Sequence, residues 1–187
     1  MMMISEGMLI GPSDGRDGDL MYLSDIFSDE TSYKNIYVSR SVVNFGDIVN
    51  YAYHNGFATT LAPSDLHVTI CYSKSRIDWY ALYPERNEIV IPPQTRTIEA
   101  FNGGAVVLKL ESPVLAARWQ QFLDVGASTS FPTYKPHVTL TYTGIPAGAK
   151  PYEGRIVLGP EKWTELNTDW KSGVEEWPTG YKPADPS

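Results

Sequence analysis

The chain has 187 residues, of which 42% are hydrophobic and 12% aromatic, and its formal net charge is −7. This length favours one domain, and the composition excludes a disordered chain because it supplies enough apolar side chains for a core. The single cysteine, Cys71, cannot form an internal disulfide, and no Cys/His cluster indicates a structural zinc. No run of about 18 apolar residues and no signal-peptide pattern is present, so we expect a soluble cytoplasmic protein without a membrane partner.

The negative charge lies at the two ends of the chain. Residues 1–35 carry a net charge of −5 and residues 160–187 one of −3, whereas residues 36–159 carry +1. Proteins bind long nucleic acids through many Lys and Arg contacts to phosphates. The near-neutral body therefore predicts a small ligand with two or three phosphates and excludes a duplex.

Composition divides the chain into three parts. Residues 1–33 are acidic and rich in Gly, Asp and Ser, which is typical of an extension or linker. Residues 179–187 are polar and rich in Pro, which is typical of a flexible tail. We expect the folded domain to occupy residues 34–178.

Within this domain the sequence repeats with an offset of 70 residues. Each copy begins with a strand, continues with a helix that has an N-cap residue, and ends the helix with a glycine. These three features are Ile36–Ser39, Asn44 and Gly56 in the first copy, and Ala105–Leu110, Ser112 and Gly126 in the second.

Each copy closes with a strand that contains His-Val-Thr, LHVTICYS in the first and PHVTLTYT in the second. Two strand-helix-strand halves related by a pseudo-twofold axis would bring equivalent residues face to face across a central cleft. Three further short strands are predicted at Glu88–Pro92, Thr95–Ala100 and Arg155–Leu158. The expected fold class is α+β, bilobed, with mostly antiparallel sheets and few helices.

The two His-Val-Thr motifs carry the candidate chemistry. Side chains alternate along a strand, so His67 and Thr69 share one face, as do His137 and Thr139. One neutral imidazole can accept a proton from an attacking oxygen while the other, protonated, donates one to a leaving oxygen. The hydroxyls can hydrogen-bond phosphate oxygens as charge develops. The pattern predicts cleavage of a phosphodiester without a metal or other cofactor.

Other side chains near the motifs have simpler interpretations. Arg40 could contact a phosphate but is more often a solvated surface charge. Tyr72 and Tyr142 each lie an odd number of residues from the histidine of the same strand, so their side chains should point to the opposite face and pack in the core. We expect Cys71 to be a small buried residue. For the aromatic residues Trp79 and Trp163, base stacking and core packing both remain open.

HVTI at 67–70 and HVTL at 137–140 resemble the paired motifs of the 2H phosphoesterase superfamily. That resemblance implies a metal-independent enzyme that acts on 2',3'-cyclic phosphates or on 2'-5' and 3'-5' linkages. It makes His67 and His137 the catalytic pair and assigns phosphate binding to Thr69 and Thr139.

Within the superfamily, the chain most resembles phage anti-CBASS nucleases, which degrade the cyclic oligonucleotide signals of bacterial immunity. The segments that carry this resemblance are IYVSRSV at 36–42, LHVTICYSK at 66–74, GGAVVLKLESP at 103–113, YKPHVTLTY at 134–142 and IVLGPEKWTEL at 156–166. It implies that Tyr37 contacts the cyclic nucleotide and that Glu165, or alternatively Glu161, and Trp170 contact a base. It also implies a phage or prophage origin and action in the host bacterial cytosol. Residues 1–33 have no counterpart in that group, so whether the chain is part of a larger phage polypeptide stays open.

The resulting hypothesis is hydrolysis of 3'-5' linked cyclic di- or trinucleotides, cyclic GMP-AMP included. Two alternatives remain open at this point. One is an RNA-processing enzyme of the same superfamily, a 2',3'-cyclic phosphodiesterase or a relative of 2'-5' RNA ligases. The other is a non-catalytic module that sequesters nucleotides, or a phage structural component with a decayed domain.

Overall fold

The computed structural model describes residues 32–166 and 176–179. These residues form nine strands, two α-helices and a 3-10 turn at Pro63–Asp65. The helices are α1, Phe45–His54, and α2, Pro113–Asp124. The strands are β1 Tyr33–Val42, β2 Thr59–Leu61, β3 His67–Asp78, β4 Ile89–Ile91, β5 Ile98–Ala100, β6 Val106–Lys109, β7 His137–Thr141, β8 Ile156–Thr164 and β9 Glu176–Pro178.

Seven strands form one sheet in the order β4-β8-β1-β3-β7-β6-β5, and β2 pairs with β9 in a second, two-stranded sheet. Every pairing is antiparallel. The two predicted halves, β1-α1-β3 and β6-α2-β7, therefore join edge to edge where β3 meets β7. The α+β class with antiparallel sheets is confirmed.

One face of the large sheet packs against both helices. Side chains along β1 alternate between buried and half-buried, and those of Ile36 and Val38 are fully buried. They share one hydrophobic core with Ile48 of α1 and with Leu115 and Phe122 of α2. We call this the core face and the opposite side, which bears Tyr37, His67, Thr69, His137 and Thr139, the open face.

The helix boundaries agree with the sequence prediction, but their causes differ. Ser112 caps α2 as expected, because its hydroxyl accepts a hydrogen bond from the Leu115 amide at 3.2 Å. Asn44 occupies the N-cap position of α1 without capping it; its side chain instead accepts from the Val157 amide and donates to the Arg155 carbonyl. Gly56 and Gly126 have φ of +83° and +107°, the positive values that a glycine adopts where it ends an α-helix.

Each motif strand contains a β-bulge directly after its His-Val-Thr. Thr69 lies opposite Ser39 and Cys71 lies opposite Val38, so Ile70 is an extra residue in β3. In β7 the partners are Thr139 with Val107 and Thr141 with Val106, which makes Leu140 the extra residue. The bulges are themselves 70 residues apart, and each shifts the side chains beyond it to the other face.

Candidate active site

The two motifs lie side by side at the centre of the sheet. Val68 of β3 is the antiparallel partner of Val138 of β7. One residue to either side, this register sets His67 beside Thr139 and Thr69 beside His137. Both valines are fully buried on the core face, whereas the four His and Thr side chains are half-buried on the open face. The structure thus brings the four predicted catalytic residues together in one compact patch.

Both histidines are oriented by the same contact. The Nδ1 atom of His67 lies 2.6 Å from the Asp65 carbonyl oxygen, and that of His137 lies 2.8 Å from the Lys135 carbonyl oxygen. A carbonyl oxygen only accepts, so Nδ1 carries the hydrogen in each ring. Nε2 is therefore the atom that exchanges protons with a ligand in both halves.

Tyr37 holds the first motif. Its hydroxyl lies 2.7 Å from Nε2 of His67 and 3.0 Å from Oγ1 of Thr69. Burial raises the pKa of Tyr37 above its ordinary value, so the phenol is neutral at physiological pH and can both donate and accept. The predicted contact of Tyr37 with a nucleotide stays a prediction; its contact with both functional groups of the motif was not foreseen.

The second motif has different neighbours. Among the described residues, neither Nε2 of His137 nor the Thr139 hydroxyl has a hydrogen-bond partner, and the Phe101 ring lies edge-on to the imidazole with centroids 5.0 Å apart. Lys109 is directly opposite His137 in the sheet. Burial lowers the pKa of His137, and the nearby positive charges of His67 and Lys109 lower it further against the opposing effect of the Lys135 carbonyl.

A carboxylate anchors the end of the second motif strand. One oxygen of Glu176 accepts hydrogen bonds from the hydroxyls of Thr59 and Thr141, both at 2.7 Å, and from the Tyr142 amide at 3.1 Å. Burial raises the pKa of this carboxyl, but the three donors outweigh it and the net pKa is lowered. Glu176 thereby connects β2 of the first half to β7 of the second, and no motif in the sequence pointed to this role.

The prediction for Arg40, a phosphate contact or a solvated charge, was wrong in both forms. Its side chain is fully buried on the core face, where it donates to the Gly159 carbonyl at 2.7 Å and to Glu85 at 2.8 Å. Arg118 of α2 joins the same network through paired hydrogen bonds to Glu161 at 2.8 and 3.0 Å. The buried Arg118 and Glu161 charges compensate each other through these hydrogen bonds, whereas the Nε atom of Arg40 is buried without a hydrogen-bond partner in the described part of the chain.

This network buries one of the two acidic candidates for base contact. The Glu161 side chain has no exposed surface, and its oxygens also accept from the Glu85 amide and the Trp163 indole. Glu165 is 62% exposed and lies 3.7 Å from the Lys34 ammonium. Glu161 is a structural residue, and the contact of Glu165 with a base remains a prediction. Trp170 lies outside the described residues.

The remaining aromatic residues divide between core and open face. Trp79 and Trp163 pack edge-on against each other, 5.8 Å between centroids, and both border the core, so core packing is the correct interpretation. Tyr142 is half-buried and packs against the core as expected, but it also lies close enough to Tyr37 on the open face to raise the pKa of that phenol. The prediction for Tyr72 was wrong: the bulge at Ile70 places it opposite Tyr37, where it is 43% exposed.

The same bulge moves Cys71 to the core face. Cys71 is 2% exposed, as expected for a small buried residue, and burial raises the pKa of its thiol to about 12. A neutral thiol at this depth is no nucleophile for the open face.

No helix among the described residues is long and apolar enough to cross a membrane. Within residues 32–166 and 176–179, no three His, Cys, Asp or Glu side chains are grouped as a metal ion would require.

Comparison with known proteins identifies the family. The family described as "Anti-CBASS protein Acb1" matches residues 34–173. A relative of that name from Caulobacter sp. (strain RHG1) is 37% identical over 150 residues, which cover 75% of this chain and 24% of the relative. One from Acinetobacter phage Ac42 is 36% identical over 110 residues, 57% of this chain and 72% of the phage protein. The chain thus spans about a quarter of the length of the bacterial relative.

The fold agrees with this result. A crystal structure titled as a phosphoesterase superposes with a TM-score of 0.52 at 11% identity, over 78% of this chain and 95% of that one. A likeness at this identity establishes the fold, and the two His-Val-Thr motifs on adjacent strands are the feature that the resemblance to 2H phosphoesterases predicted. The chain belongs to the Acb1 family of anti-CBASS proteins, and its fold is similar to that of the phosphoesterase.

Proposed function

We propose that this protein is a phosphodiesterase that hydrolyses the 3'-5' linkages of cyclic di- or trinucleotides, cyclic GMP-AMP included, and so counters CBASS defence. The observation that carries the proposal is the pairing of Val68 with Val138, which sets two imidazoles and two hydroxyls on one open face. Membership of the anti-CBASS family supports a cyclic oligonucleotide as the substrate. We expect it to act in the cytosol of a host bacterium.

The geometry supports a mechanism in two steps. A neutral imidazole takes the proton of a ribose 2'-hydroxyl, whose oxygen attacks the adjacent phosphorus, while the protonated imidazole donates to the departing 5'-oxygen. The product is a 2',3'-cyclic phosphate, which water then opens. The Thr69 and Thr139 hydroxyls flank the imidazoles in the sheet and are placed to donate to the non-bridging oxygens as negative charge grows on them.

The limited positive charge of the open face favours a small substrate. Arg40 is buried, so the open face does not gain its charge, and Lys109 is paired with Glu99 at 3.0 Å. A groove that follows a polynucleotide backbone requires a row of cations. These observations favour a cyclic dinucleotide or trinucleotide over a structured RNA.

The proposal is tested with a panel of cyclic di- and trinucleotides, incubated with the protein in the presence of EDTA and resolved by liquid chromatography. We expect linear products with 3'-phosphate ends. Recovery of every ligand unchanged but bound would favour sequestration, and cleavage of a tRNA fragment alone would favour the RNA-processing alternative. Replacing the scissile ribose with 2'-deoxyribose should abolish the reaction; unchanged cleavage would contradict attack by the 2'-oxygen.

A further inference from the structure

The two halves of the site differ in one respect that their sequence repeat hides. Val38 opposite Cys71 in the first half corresponds to Val106 opposite Thr141 in the second. The residue that precedes Val38 is Tyr37, whereas the residue that precedes Val106 is Ala105. The first histidine therefore has a phenol hydroxyl on its reactive nitrogen, and the second has no equivalent.

The charges around the two rings differ in the same sense. The residue opposite His137 is Lys109, whereas the residue opposite His67 is Ser41. The charged groups that act on His137 are His67 and Lys109, and Lys109 has Glu99 as its partner at 3.0 Å. Because more positive than negative charge surrounds the His137 ring, its protonation is disfavoured.

We infer that His137 is the general base of the first step, that His67 is the general acid, and that Tyr37 is a positioning residue for the acid. This inference rests on the proposed function. A base needs a free lone pair, and Nε2 of His137 has no partner among the described residues, whereas that of neutral His67 accepts the Tyr37 hydroxyl at 2.7 Å. When His67 is protonated, the same phenol oxygen can accept its Nε2 hydrogen and hold it in place.

The proton balance closes over the two steps. In the first, the 2'-hydroxyl proton passes to His137, the bond from O2' to phosphorus forms, the bond from phosphorus to O5' breaks, and His67 protonates O5'. In the second, His67 takes a proton from water, the water oxygen bonds to phosphorus, the bond to O2' breaks, and His137 protonates O2'. Each histidine returns to its starting state without any further reactant.

A change of leaving group separates acid from base. In cyclic GMP-AMP with sulfur in place of the scissile 5'-oxygen, the leaving thiolate needs no proton. Loss of the general acid should therefore change the cleavage rate little, whereas loss of the general base should lower it as much as on the oxygen substrate. The variants are His67→Asn and His137→Asn, in which the Asn amide can still donate to the Asp65 or Lys135 carbonyl. We expect each variant to lose about 10²- to 10⁴-fold on the oxygen substrate. On the sulfur substrate His67→Asn should recover to within about tenfold of wild type, whereas His137→Asn should not.

Tyr37→Phe adds a readout that a merely structural role would not move. It should slow cleavage of the oxygen substrate about tenfold, the value of one hydrogen bond, and leave the sulfur substrate near the wild-type rate. Equal losses on both substrates would overturn the positioning role. Rescue of His137→Asn instead of His67→Asn, or of neither while wild type is active, would overturn the assignment alone. A wild-type protein that cleaves neither substrate would overturn the proposed function with it.

Discussion

Val68 lies directly opposite Val138, and this pair is the centre of the molecule's internal symmetry. On the core face the two valines contribute to the shared hydrophobic core, so the register of β3 on β7 is fixed by burial. On the open face the same register places each histidine beside the threonine of the other half. The site therefore belongs to both halves, and neither half carries a complete set of catalytic groups.

The threonine hydroxyls can be tested by isosteric removal. Thr69→Val and Thr139→Val keep the shape of the side chain but delete the donor to a phosphate oxygen. Because such a donor acts on charge that develops in the transition state, we expect kcat to fall about 10²- to 10³-fold in each variant. Thr→Ser at the same positions is the matched control and should keep most of the activity. Steady-state kinetics that show equal rates for the Val and Ser variants would contradict the role.

Substitution of Glu161 should lower the free energy of unfolding much more than substitution of Glu165. Glu161→Gln removes the negative charge that pairs with the buried Arg118 and Arg40 guanidinium groups. The free energy of unfolding should therefore fall by about 3–5 kcal/mol, as measured by urea denaturation. Glu165→Gln removes an exposed pair with Lys34 and should cost at most about 1 kcal/mol.

A substrate titration of the same two variants tests the contact with a base. If Glu165 binds a base, Glu165→Gln should raise KM while kcat stays near the wild-type value. A Glu165→Gln variant with unchanged KM and unchanged specificity among cyclic nucleotides would remove this residue from the proposed substrate contacts.

Glu176 predicts how stability depends on pH. Its pKa in the folded protein lies below the ordinary value of about 4.5, so it stabilises the fold above that pH, and this contribution is lost as pH falls through the folded pKa. The wild-type free energy of unfolding should decline as the pH falls below about 5, and Glu176→Gln should be less stable at pH 7 with a shallower acid decline.

The control for Glu176 is Glu88→Gln, at an exposed position whose carboxylate has no hydrogen bond or ion pair among the described residues. Chemical denaturation at several pH values measures both variants. Parallel curves for wild type and Glu176→Gln would show that the three hydrogen bonds contribute nothing to the acid sensitivity.

Lys109 predicts a change in the pH profile of catalysis. Its charge helps to lower the pKa of His137, so Lys109→Gln should raise that pKa. The base is then deprotonated only at higher pH, and the acid limb of kcat/KM should move upward by less than about one pH unit. Lys109→Arg keeps the charge and should keep the wild-type profile. An unchanged acid limb with an alkaline limb that moves upward in Lys109→Gln would contradict the assignment of His137 as the base.

The repeat made the site predictable from sequence, because two copies of His-Val-Thr at one offset define both the catalytic residues and their strands. Alternation along a strand then gave the correct face for all four side chains. The same rule failed two residues later, since the bulges at Ile70 and Leu140 change the parity and no residue type in either segment announces an extra position. Tyr72 was misplaced for this reason.

Contacts between segments that are distant in the chain could not be predicted from the sequence. The burial of Arg40 depends on Glu85, Glu161 and Arg118, which lie 45 to 121 residues away in the chain and meet only through the sheet and α2. The anchoring of β7 by Glu176 depends in the same way on a strand that pairs with β2. Neither pattern has a local signature, because each is formed by one residue from each of several elements.

The central claim is that His67 and His137 act together on one phosphodiester, and the direct test is cleavage of 3'-5' linked cyclic GMP-AMP in the presence of EDTA. Wild type should convert it to linear product, and His67→Asn, His137→Asn and the double variant should each be slower by at least about 10²-fold while unfolding at the wild-type temperature. Because the two groups act as a unit, the double variant should lose far less than the product of the single losses. Wild-type rates in either single variant, or losses that multiply fully in the double variant, would contradict a shared site.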